Sequence, residues 1–323
     1  DLTVDRLNNS EKLYEINGLS INLEGFKLDS SFLVNGLYPN IDKSNFSVAN
    51  LKIFDDINIT TSNIYYSSED TLLSVLDFKH INNKSLNISS KKILFQDIQL
   101  ESILKSEYNS SIKIKAIEPD IKISLETGNH SFSFRKDNDL MNNILLSELE
   151  IVKGRIKVSK GVNSNLSLNS TDIIINFNDE LTLSSIRDRK YINKILWNTE
   201  DLYFENNAED IILSAVTTSY DGSKLHFTWG KFEQLIEDQN INSVILNWED
   251  IILSNFELFN FIYDDNFKSK IVDIQKPIIN LRYKNIKKYN DTVNIDDLIR
   301  IPIDIDIKYL NIKDGLFEVD FNE

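Results

Sequence analysis

The sequence predicts a mostly β fold: an elongated antiparallel sheet built from two repeats, with a few short helices. Two observations support this prediction. Apolar residues recur at every second position in short runs, which is the pattern of strands with one apolar and one solvated face. The two halves of the 323-residue chain also repeat each other's motifs, and nothing between them has the composition of a linker.

Period-two alternation is clearest near the end of the chain. Five successive odd-numbered residues are apolar there: Ile301, Ile303, Ile305, Ile307 and Tyr309. Shorter runs of the same kind include residues 19–23, 121–125 and 225–229. Turns rich in Asn, Asp, Ser and Gly separate these runs at the spacing of antiparallel meanders.

Three short segments favour helix over strand, namely residues 139–146, 186–196 and 294–299. In the second segment Ile192 and Ile195 would share one side of the helix. In the third segment Asn294 is placed to cap the N-terminus. Helix is therefore predicted to be a minor component.

Two pairs of motifs define the repeat. Residues 119–125 (PDIKISL) match residues 277–283 (PIINLRY), with the apolar positions in the same phase. Residues 149–158 (LEIVKGRIKV) match residues 310–319 (LNIKDGLFEV), again with the apolar positions and the glycine in correspondence. Further upstream, similar residues recur at offsets of 153 or 154: Tyr66 with Tyr220, Phe78 with Phe232, and Asp97-Ile98 with Asp250-Ile251.

The repeated glycine and proline predict local features of the strands. Gly154 and Gly315 interrupt alternating runs, which indicates a tight turn, a bulge or a close backbone approach. The repeated proline is expected to open a strand, where no ladder donor is lost. Together the motifs predict two units, residues 1–160 and residues 161–323, in one continuous sheet.

These motifs resemble those of the AsmA-like proteins, the bacterial relatives of TamB and of the bridge-like lipid-transfer proteins. The family's pattern is a strand with a proline, a polar loop with a short helical turn, and a strand with an internal glycine. Here the two copies are residues 119–158 and residues 277–319. The chain departs from the pattern after Leu125, where residues 127–129 are Thr-Gly-Asn instead of the family's Asp-Gly before Asn.

The resemblance implies a curved sheet, U-shaped in cross-section, whose apolar groove carries phospholipid or another acyl lipid between membranes. It also implies a periplasmic or cell-envelope location, a role in outer-membrane lipid homeostasis, envelope membrane proteins as partners, and an inner-membrane tether from a segment absent here. We expect the apolar phase to change at Gly154 and Gly315. The candidate groove residues are the inward apolar positions of the repeat strands and of the final alternating run: Ile121, Ile123, Leu125, Leu149, Ile151, Ile156, Val158, Ile279, Leu281, Tyr283, Ile301, Ile303, Ile305, Ile307, Leu310, Ile312, Phe317 and Val319.

Composition excludes several classes of function. Fifty acidic against 35 basic residues give a net charge of -15, which repels a phosphate backbone, so nucleic acid is not an expected partner. There is no polybasic patch, and any lipid contact must therefore be apolar. The absence of cysteine excludes disulfides, thiolate metal sites and cysteine nucleophiles.

Residues capable of catalysis are scattered. The three histidines, His80, His130 and His226, are far apart and have no metal-ligand spacing. Adjacent carboxylates on a strand point to opposite faces. Asp304 and Asp306 do share a face and could hold Ca²⁺ or a sugar, but a solvated outer face explains them better. No catalytic residue, metal site or cofactor is predicted.

Aromatic residues leave alternatives to lipid transfer open. Trp197, Trp229, Trp248 and the stretch 256–263 could form a carbohydrate platform, although packing in a core or groove is favoured. The chain could also be a structural or adhesive β-solenoid or sandwich scaffold whose outer loops bind partners. A polysaccharide-active enzyme would need clustered carboxylates, which the sequence does not offer. An open apolar trough would favour lipid binding, and a closed one the scaffold.

Overall fold

The structure is a computed structural model. It describes residues 2–5, 12–24, 43–54, 58–82, 86–99, 111–125, 145–161, 164–178, 192–208, 210–235, 241–258, 266–284 and 304–322. Every element of these ranges is a strand, apart from the single helical residue Leu258, and none of these ranges holds a helix long and apolar enough to cross a membrane.

The described residues form eighteen strands, which belong to one mixed sheet. Their bounds in chain order are β1 Leu2–Asp5, β2 Lys12–Glu24, β3 Lys43–Phe54, β4 Asn58–Thr61, β5 Asn63–Ser67, β6 Leu72–Asn82, β7 Leu86–Gln96, β8 Ser111–Leu125, β9 Leu145–Lys160, β10 Ser164–Phe177, β11 Ile192–Asn206, β12 Ile211–Tyr220, β13 Lys224–Leu235, β14 Ile241–Ser254, β15 Asn266–Gln275, β16 Ile278–Lys284, β17 Asp304–Lys313 and β18 Leu316–Asn322.

The chain divides into two compact units. The first unit contains residues 1–155 and 172–194, and the second contains residues 156–171 and 195–323. The division passes through β9, β10 and β11, whereas the sequence motifs placed it between residues 160 and 161.

Antiparallel pairing dominates both units, as the alternating pattern predicts. In the first unit β2 pairs with β3, β3 with β4 and β5, and both of these with β6, which is followed in order by β7 and β8. In the second unit β11 to β14 pair in chain order, and β14 then pairs with both β15 and β16.

Two pairs at the end of the second unit are parallel, so the prediction of a purely antiparallel sheet was wrong. β15 pairs with β17 and β16 with β18, both in parallel. A parallel pair needs a connection of about a dozen residues or more. Residues 285–303, between β16 and β17, are long enough to provide it.

β8 and β9 in the first unit have the contacts of a parallel pair. The Ser147 hydroxyl donates to the carbonyl of Ile112, and the Lys115 ammonium lies 2.8 Å from the Glu150 carboxylate. Both contacts join residues 35 apart in sequence, and a constant difference of this kind is a parallel register. The segment between the two strands, residues 126–144, is as long as the segment between β16 and β17.

Two of the three predicted helices are wrong where the structure describes them. Residues 145–146 lie in β9 and residues 192–196 lie in β11. Helical preference is worth only tenths of a kcal/mol per residue for most side chains, and strand pairing here brings Leu146 and Ile192 onto the core of the first unit. Residues 139–144, 186–191 and 294–299 lie outside the described ranges.

The proline prediction also needs correction. Pro277 directly precedes β16, but Pro119 lies inside β8, opposite Ser90. Both prolines are fully buried. The Ser90 hydroxyl donates 3.0 Å hydrogen bonds to the carbonyl oxygens of Lys92 and Ile117, one of them in the proline strand, and so adds a link where proline has no N–H to donate.

One row of residues interrupts the ladders of the first unit. The registers pass over Ser62, Asp77, Lys91 and Glu118, which form this first interrupted row. Lys153 of β9 continues the row, because it lies at the same 35-residue offset from Glu118 as the contacts between β8 and β9. Asp77, Glu118 and Lys153 have left-handed backbones, with φ near +50°. Non-glycine residues seldom adopt this conformation, so its recurrence along one row marks a shared local geometry.

The second unit has an equivalent row. This second interrupted row consists of Asp201, Val216, Trp229, Glu249, Lys276 and Asp314. Four of these residues have positive φ: Asp201, Trp229, Lys276 and Asp314.

Each interrupted row shifts the side-chain alternation by one position. In the last strands Leu310 and Ile312 precede Asp314 by an even number of residues, whereas Phe317 and Val319 follow it by an odd number, yet all four extend the apolar rows described below. The left-handed residue is the one before each predicted glycine. Gly315 itself provides a close approach, because a Cβ there would lie 3.1 Å from Cγ of Pro277.

Candidate functional site

The first unit has a continuous apolar face. One row of directly opposed residues crosses five strands: Phe46, Tyr66, Leu73, Phe95 and Ile114. The neighbouring row on the same face is Val48, Ile64, Val75, Ile93 and Ala116. Neither row contains a charged or hydrogen-bonding side chain other than the Tyr66 hydroxyl.

The second unit repeats this arrangement on both sides of its interrupted row. On one side lie Trp197, Tyr220, Leu225, Leu253, Val272 and Leu310. On the other side lie Phe204, Leu213, Phe232, Leu246, Ile279 and Phe317. Trp197 and Leu213, one from each row, pack against the same buried cluster of Leu168, Leu202 and Ala215, so the two rows share a face.

Much of this face is only partly buried. Tyr66, Ile112 and Leu146 are almost fully buried in the first unit, but Phe46 and Phe95, which pack against them, remain half-buried. Core residues enclosed on all sides would lose nearly all of their accessible surface. The apolar face therefore retains accessible hydrocarbon along its rows.

The opposite face of the first unit is charged. The Lys115 and Glu150 side chains form an ion pair there, and Asp120 lies 3.7 Å from the Arg155 guanidinium. The two faces thus differ in the way that the sequence alternation predicts.

The residues predicted from the repeat motifs lie in the strands as follows. Ile121 stands opposite Ile88 and Ile123 opposite Leu86 in the first unit. Ile151 and Leu281 are buried, whereas the half-buried candidates are Ile121, Ile123, Leu149, Ile156, Val158, Ile279 and Ile307. Ile305 is opposite Phe267, Tyr283 is opposite Phe321, and Leu125 ends β8. Ile301 and Ile303 lie outside the described residues.

The candidates in the last two strands are exposed. Leu310, Ile312 and Phe317 keep more than half of their surface accessible, and Val319 more than a third. They extend the rows of Val272, Ile274, Ile279 and Leu281, but no further register follows these strands in the described part of the chain. These side chains are exposed because a neighbouring strand covers them on one side only.

The sequence predicted that the apolar alternation from residue 301 continues to Tyr309. In the structure it does not. Ile307 packs against the core of the second unit, whereas Tyr309 is half exposed and lies beside the row residue Leu310. The Lys308 ammonium lies 5.4 Å from the centre of the Tyr309 ring, a cation–π distance. Tyr309 therefore belongs to the face opposite the apolar rows.

Sequence reasoning missed the contributions of β3, β5, β6 and β7 to the face. The available signal was alternation in short runs such as Ile64 with Tyr66 and Leu73 with Val75. These runs lie outside the motifs that repeat most clearly, and only the register brings them into one row.

One histidine shares the apolar face. His80 stands opposite Ile59 on one side and Ile88 on the other. Burial lowers the pKa of its imidazole below the ordinary value of 6.5, so the neutral form is favoured. A neutral imidazole is compatible with an apolar face, and an imidazolium is not.

His226 is paired with a carboxylate. Its Nε2 lies 2.8 Å from Oδ1 of Asp250. The residues that the structure describes contain no group of three histidine, aspartate or glutamate side chains that could hold a metal ion. The pair links β13 to β14.

Comparison with protein-family models, with curated proteins and with solved structures found no match.

Proposed function

We propose that this chain binds acyl lipid along the apolar face and passes it on without chemistry in a bacterial cell envelope, as the resemblance to AsmA-like proteins implies. One observation carries the proposal: uncharged apolar rows cross successive strands in each unit while many of their large side chains stay half-buried. A methylene chain needs no hydrogen-bond partner, and these rows offer few.

The length of a row suits an acyl chain. Neighbouring strands lie about 4.8 Å apart, so a row across five strands extends about 19 Å. The acyl chains of one leaflet occupy about 15 Å, half of the hydrocarbon thickness of a bilayer. A row such as Phe46 to Ile114 can therefore contact a chain over its whole length.

Lipid capture on such a face is driven by burial of hydrocarbon. Each methylene group transferred from water contributes about 0.8 kcal/mol. A chain that covers half-buried side chains such as Phe46 and Phe95 also removes their remaining apolar surface from water. Binding then depends on the continuity of the rows, so movement between rows needs no specific headgroup site.

We further infer that the two units descend from one duplicated unit, which makes the face a repeated feature. Tyr66 lies four residues after Ser62 of the first interrupted row, and Tyr220 lies four residues after Val216 of the second. Both tyrosines are buried. The motif prolines follow Glu118 and Lys276 of the two rows in the same way.

A second correspondence supports the duplication at the end of a hairpin. Ile98 and Phe256 are both buried, and each follows a left-handed residue, Asp97 or Asn255. Their backbone N–H groups donate 2.9 Å hydrogen bonds to the carbonyl oxygens of Thr71 and Ser223, respectively. These shared features support a match of Ile98 with Phe256, whereas the sequence alone suggested Ile251.

Side-chain size and charge are exchanged between the units at equivalent positions. Directly opposed residues beyond the interrupted row are Phe78 and Ser90 in the first unit and Gly230 and Trp248 in the second, so the large residue changes strand. The ion pair within the row is Lys91 with Glu118 in the first unit and Glu249 with Lys276 in the second, with the charges reversed. Compensated exchanges of this kind preserve packing and pairing after duplication.

The experiment is lipid capture by the whole chain, measured with a fluorescent phosphatidylethanolamine and by native mass spectrometry after expression in a membrane-containing host. The informative variant is Ile312→Asp, because Ile312 lies in an apolar row but is 53% exposed, so we expect this substitution to leave the fold intact. Removing contact with about two methylenes costs about 1.6 kcal/mol, or roughly tenfold in affinity. We expect that loss for Ile312→Asp.

Tyr309→Asp is the matched control. Tyr309 is 52% exposed and lies in the same strand, but on the opposite face. We expect its affinity for the lipid to equal that of the wild-type chain. Equal losses in both variants, or a wild-type chain that captures no lipid, would contradict the proposal.

The second candidate function is a structural scaffold. The observation that favours it is the nearly complete burial of Tyr66, Ile112 and Leu146, which is what a closed core requires. An all-β sheet of this kind is compatible with a scaffold that binds partners through its loops. A lipid-free chain that remains folded and monomeric in the capture experiment would favour this alternative.

A further inference from the structure

The face of the second unit opposite the apolar rows has an unusual tryptophan. Trp229 belongs to the second interrupted row, has a φ of +47° and is 63% exposed. A bulky residue in this conformation is strained, at a cost on the order of 1–3 kcal/mol. The equivalent residue of the first unit is Asp77, which adopts the same conformation more easily. Packing does not explain the tryptophan, because most of its ring is in contact with solvent.

The residues around Trp229 are also more apolar than the residues of the equivalent region of the first unit. Three exposed apolar residues lie in this region. Val216 stands beside Trp229 in the second interrupted row, Ile278 lines the same depression two strands away, and Leu316 is opposite Ile278 in the next strand. Counted from the interrupted rows, the corresponding residues of the first unit are Ser62, Asp120 and Arg155. Two of these form an ion pair. The same backbone geometry thus carries a charged surface in one unit and an apolar surface with an exposed tryptophan in the other.

A depression of about 570 Å³ lies beside Trp229. Gly230, Trp248 and Ile278 also line it, and its polar lining consists of Ser214, Lys231, Asn247, Glu249 and Lys276. Its volume is in the range of small-molecule sites, about 300–1,000 Å³. Lys276 Nζ lies 2.5 Å from Oε2 of Glu249, and this hydrogen bond raises the pKa of the lysine. The two charges therefore neutralise each other within the lining.

We propose that this depression binds a neutral saccharide, with the C–H face of a sugar ring on the Trp229 indole and its hydroxyls on the surrounding polar side chains. A wholly apolar guest would remove Glu249 and Lys276 from water without replacing their hydrogen bonds, which is unfavourable. An anionic guest would meet a lysine that is already neutralised, on a chain of net charge -15. Sugar hydroxyls both donate and accept, and so match the hydroxyl, amide, ammonium and carboxylate groups of the lining, while the C–H faces of a sugar match its apolar part.

The test uses the full chain and three neutral probes: cellohexaose, maltohexaose and chitohexaose. Saturation-transfer NMR detects binding, and tryptophan fluorescence provides the affinity, because Trp229 and Trp248 both line the depression. We expect at least one probe to bind saturably. Trp229→Asp, which installs the residue of the first unit, should weaken that binding at least tenfold without lowering the melting temperature, since it removes strain.

Two further variants complete the design. Asn247→Ala removes an amide from the lining and should weaken binding while leaving Trp229 in place, so it serves if Trp229→Asp fails to fold. Asp77→Asn changes the equivalent position of the first unit and should leave the affinity unchanged. No response to any probe at millimolar concentration would overturn the proposal. Undiminished binding in both Trp229→Asp and Asn247→Ala would overturn it too, as would Trp229-dependent self-association without a saccharide response.

Discussion

The contact between Gly230 and Trp248 offers a stringent test of the packing described above. Gly230 and Trp248 are directly opposed in β13 and β14, and Trp248 is 5% exposed. A Cβ at position 230 would lie 2.1 Å from Cζ2 of Trp248 and 2.8 Å from the carbonyl oxygen of Ser214. Neither a packed indole nor a ladder carbonyl can move away without disturbing its neighbours. Gly230→Ala should therefore strain the sheet.

The expected magnitudes follow from overpacking and cavity formation. Inserting a methyl group into a well-packed site costs about 1–3 kcal/mol, so the free energy of unfolding of Gly230→Ala should fall by that amount. Trp248→Ala leaves a large void, and truncating a buried aromatic side chain costs about 3–5 kcal/mol. Both values are measurable by urea denaturation followed by far-ultraviolet circular dichroism, which does not depend on tryptophan emission.

The decisive variant moves the large side chain from position 248 to position 230. Gly230→Phe combined with Trp248→Ser reproduces the arrangement of Phe78 and Ser90 in the first unit. Each single substitution should be strongly destabilising, and the double variant should be more stable than their sum by about 1–3 kcal/mol, the coupling of residues in contact. Strictly additive effects, or a Gly230→Ala variant within about 0.5 kcal/mol of the wild type, would refute the packing and weaken the case for duplication.

Three other predictions concern single positions. Because burial lowers the folded-state pKa of His80, the unfolded chain takes up its proton first, and stability should fall as the pH drops below about 6.5; His80→Gln should reduce this acid sensitivity in denaturation curves measured at pH 5 and pH 8. Backbone N–H groups of Lys224 and Ser223 hold the pKa of Asp221 below its ordinary value, so these hydrogen bonds stabilise the folded chain above about pH 4 and the stabilisation is lost on acidification. Asp221→Ala should therefore lower the melting temperature at pH 7 but not near pH 2. Gly18 has a φ of +65°, and a Cβ there would lie 2.7 Å from Cβ of Ala49; Gly18→Ala should cost about 1 kcal/mol or more, and an unchanged urea midpoint would argue against this geometry.

Local periodicity accounts for much of what was predictable. Alternation at every second residue indicated strands with an apolar face, and the registers align such residues in rows, as for Tyr66 and Leu73. The phase change in the motif strands was also readable, because the apolar positions on the two sides of Gly154 differ in parity. Its cause was not readable: the left-handed residue is Lys153, a type that seldom adopts this conformation.

The candidate site was predictable in part. Motif residues such as Ile151 and Leu281 lie in strands whose inward positions form the apolar face, but the motifs did not reveal the rows through β3, β5, β6 and β7. The exposure of Leu310 was equally hidden, because an edge position depends on which strands pair and not on the strand's own sequence.

By itself the sequence determined the strand class, the apolar phase of the motif strands and the exclusion of disulfides and thiolate sites, since each depends on residues close together in the chain or on composition. The tertiary structure alone decided that β15 and β16 pair in parallel with β17 and β18, that Ile192 lies in a strand, and that Trp229 stands exposed beside Lys276. These features depend on contacts between residues far apart in sequence. Alternation specifies which side of a strand is apolar, but it does not specify which strand lies next to it or in which direction that strand runs.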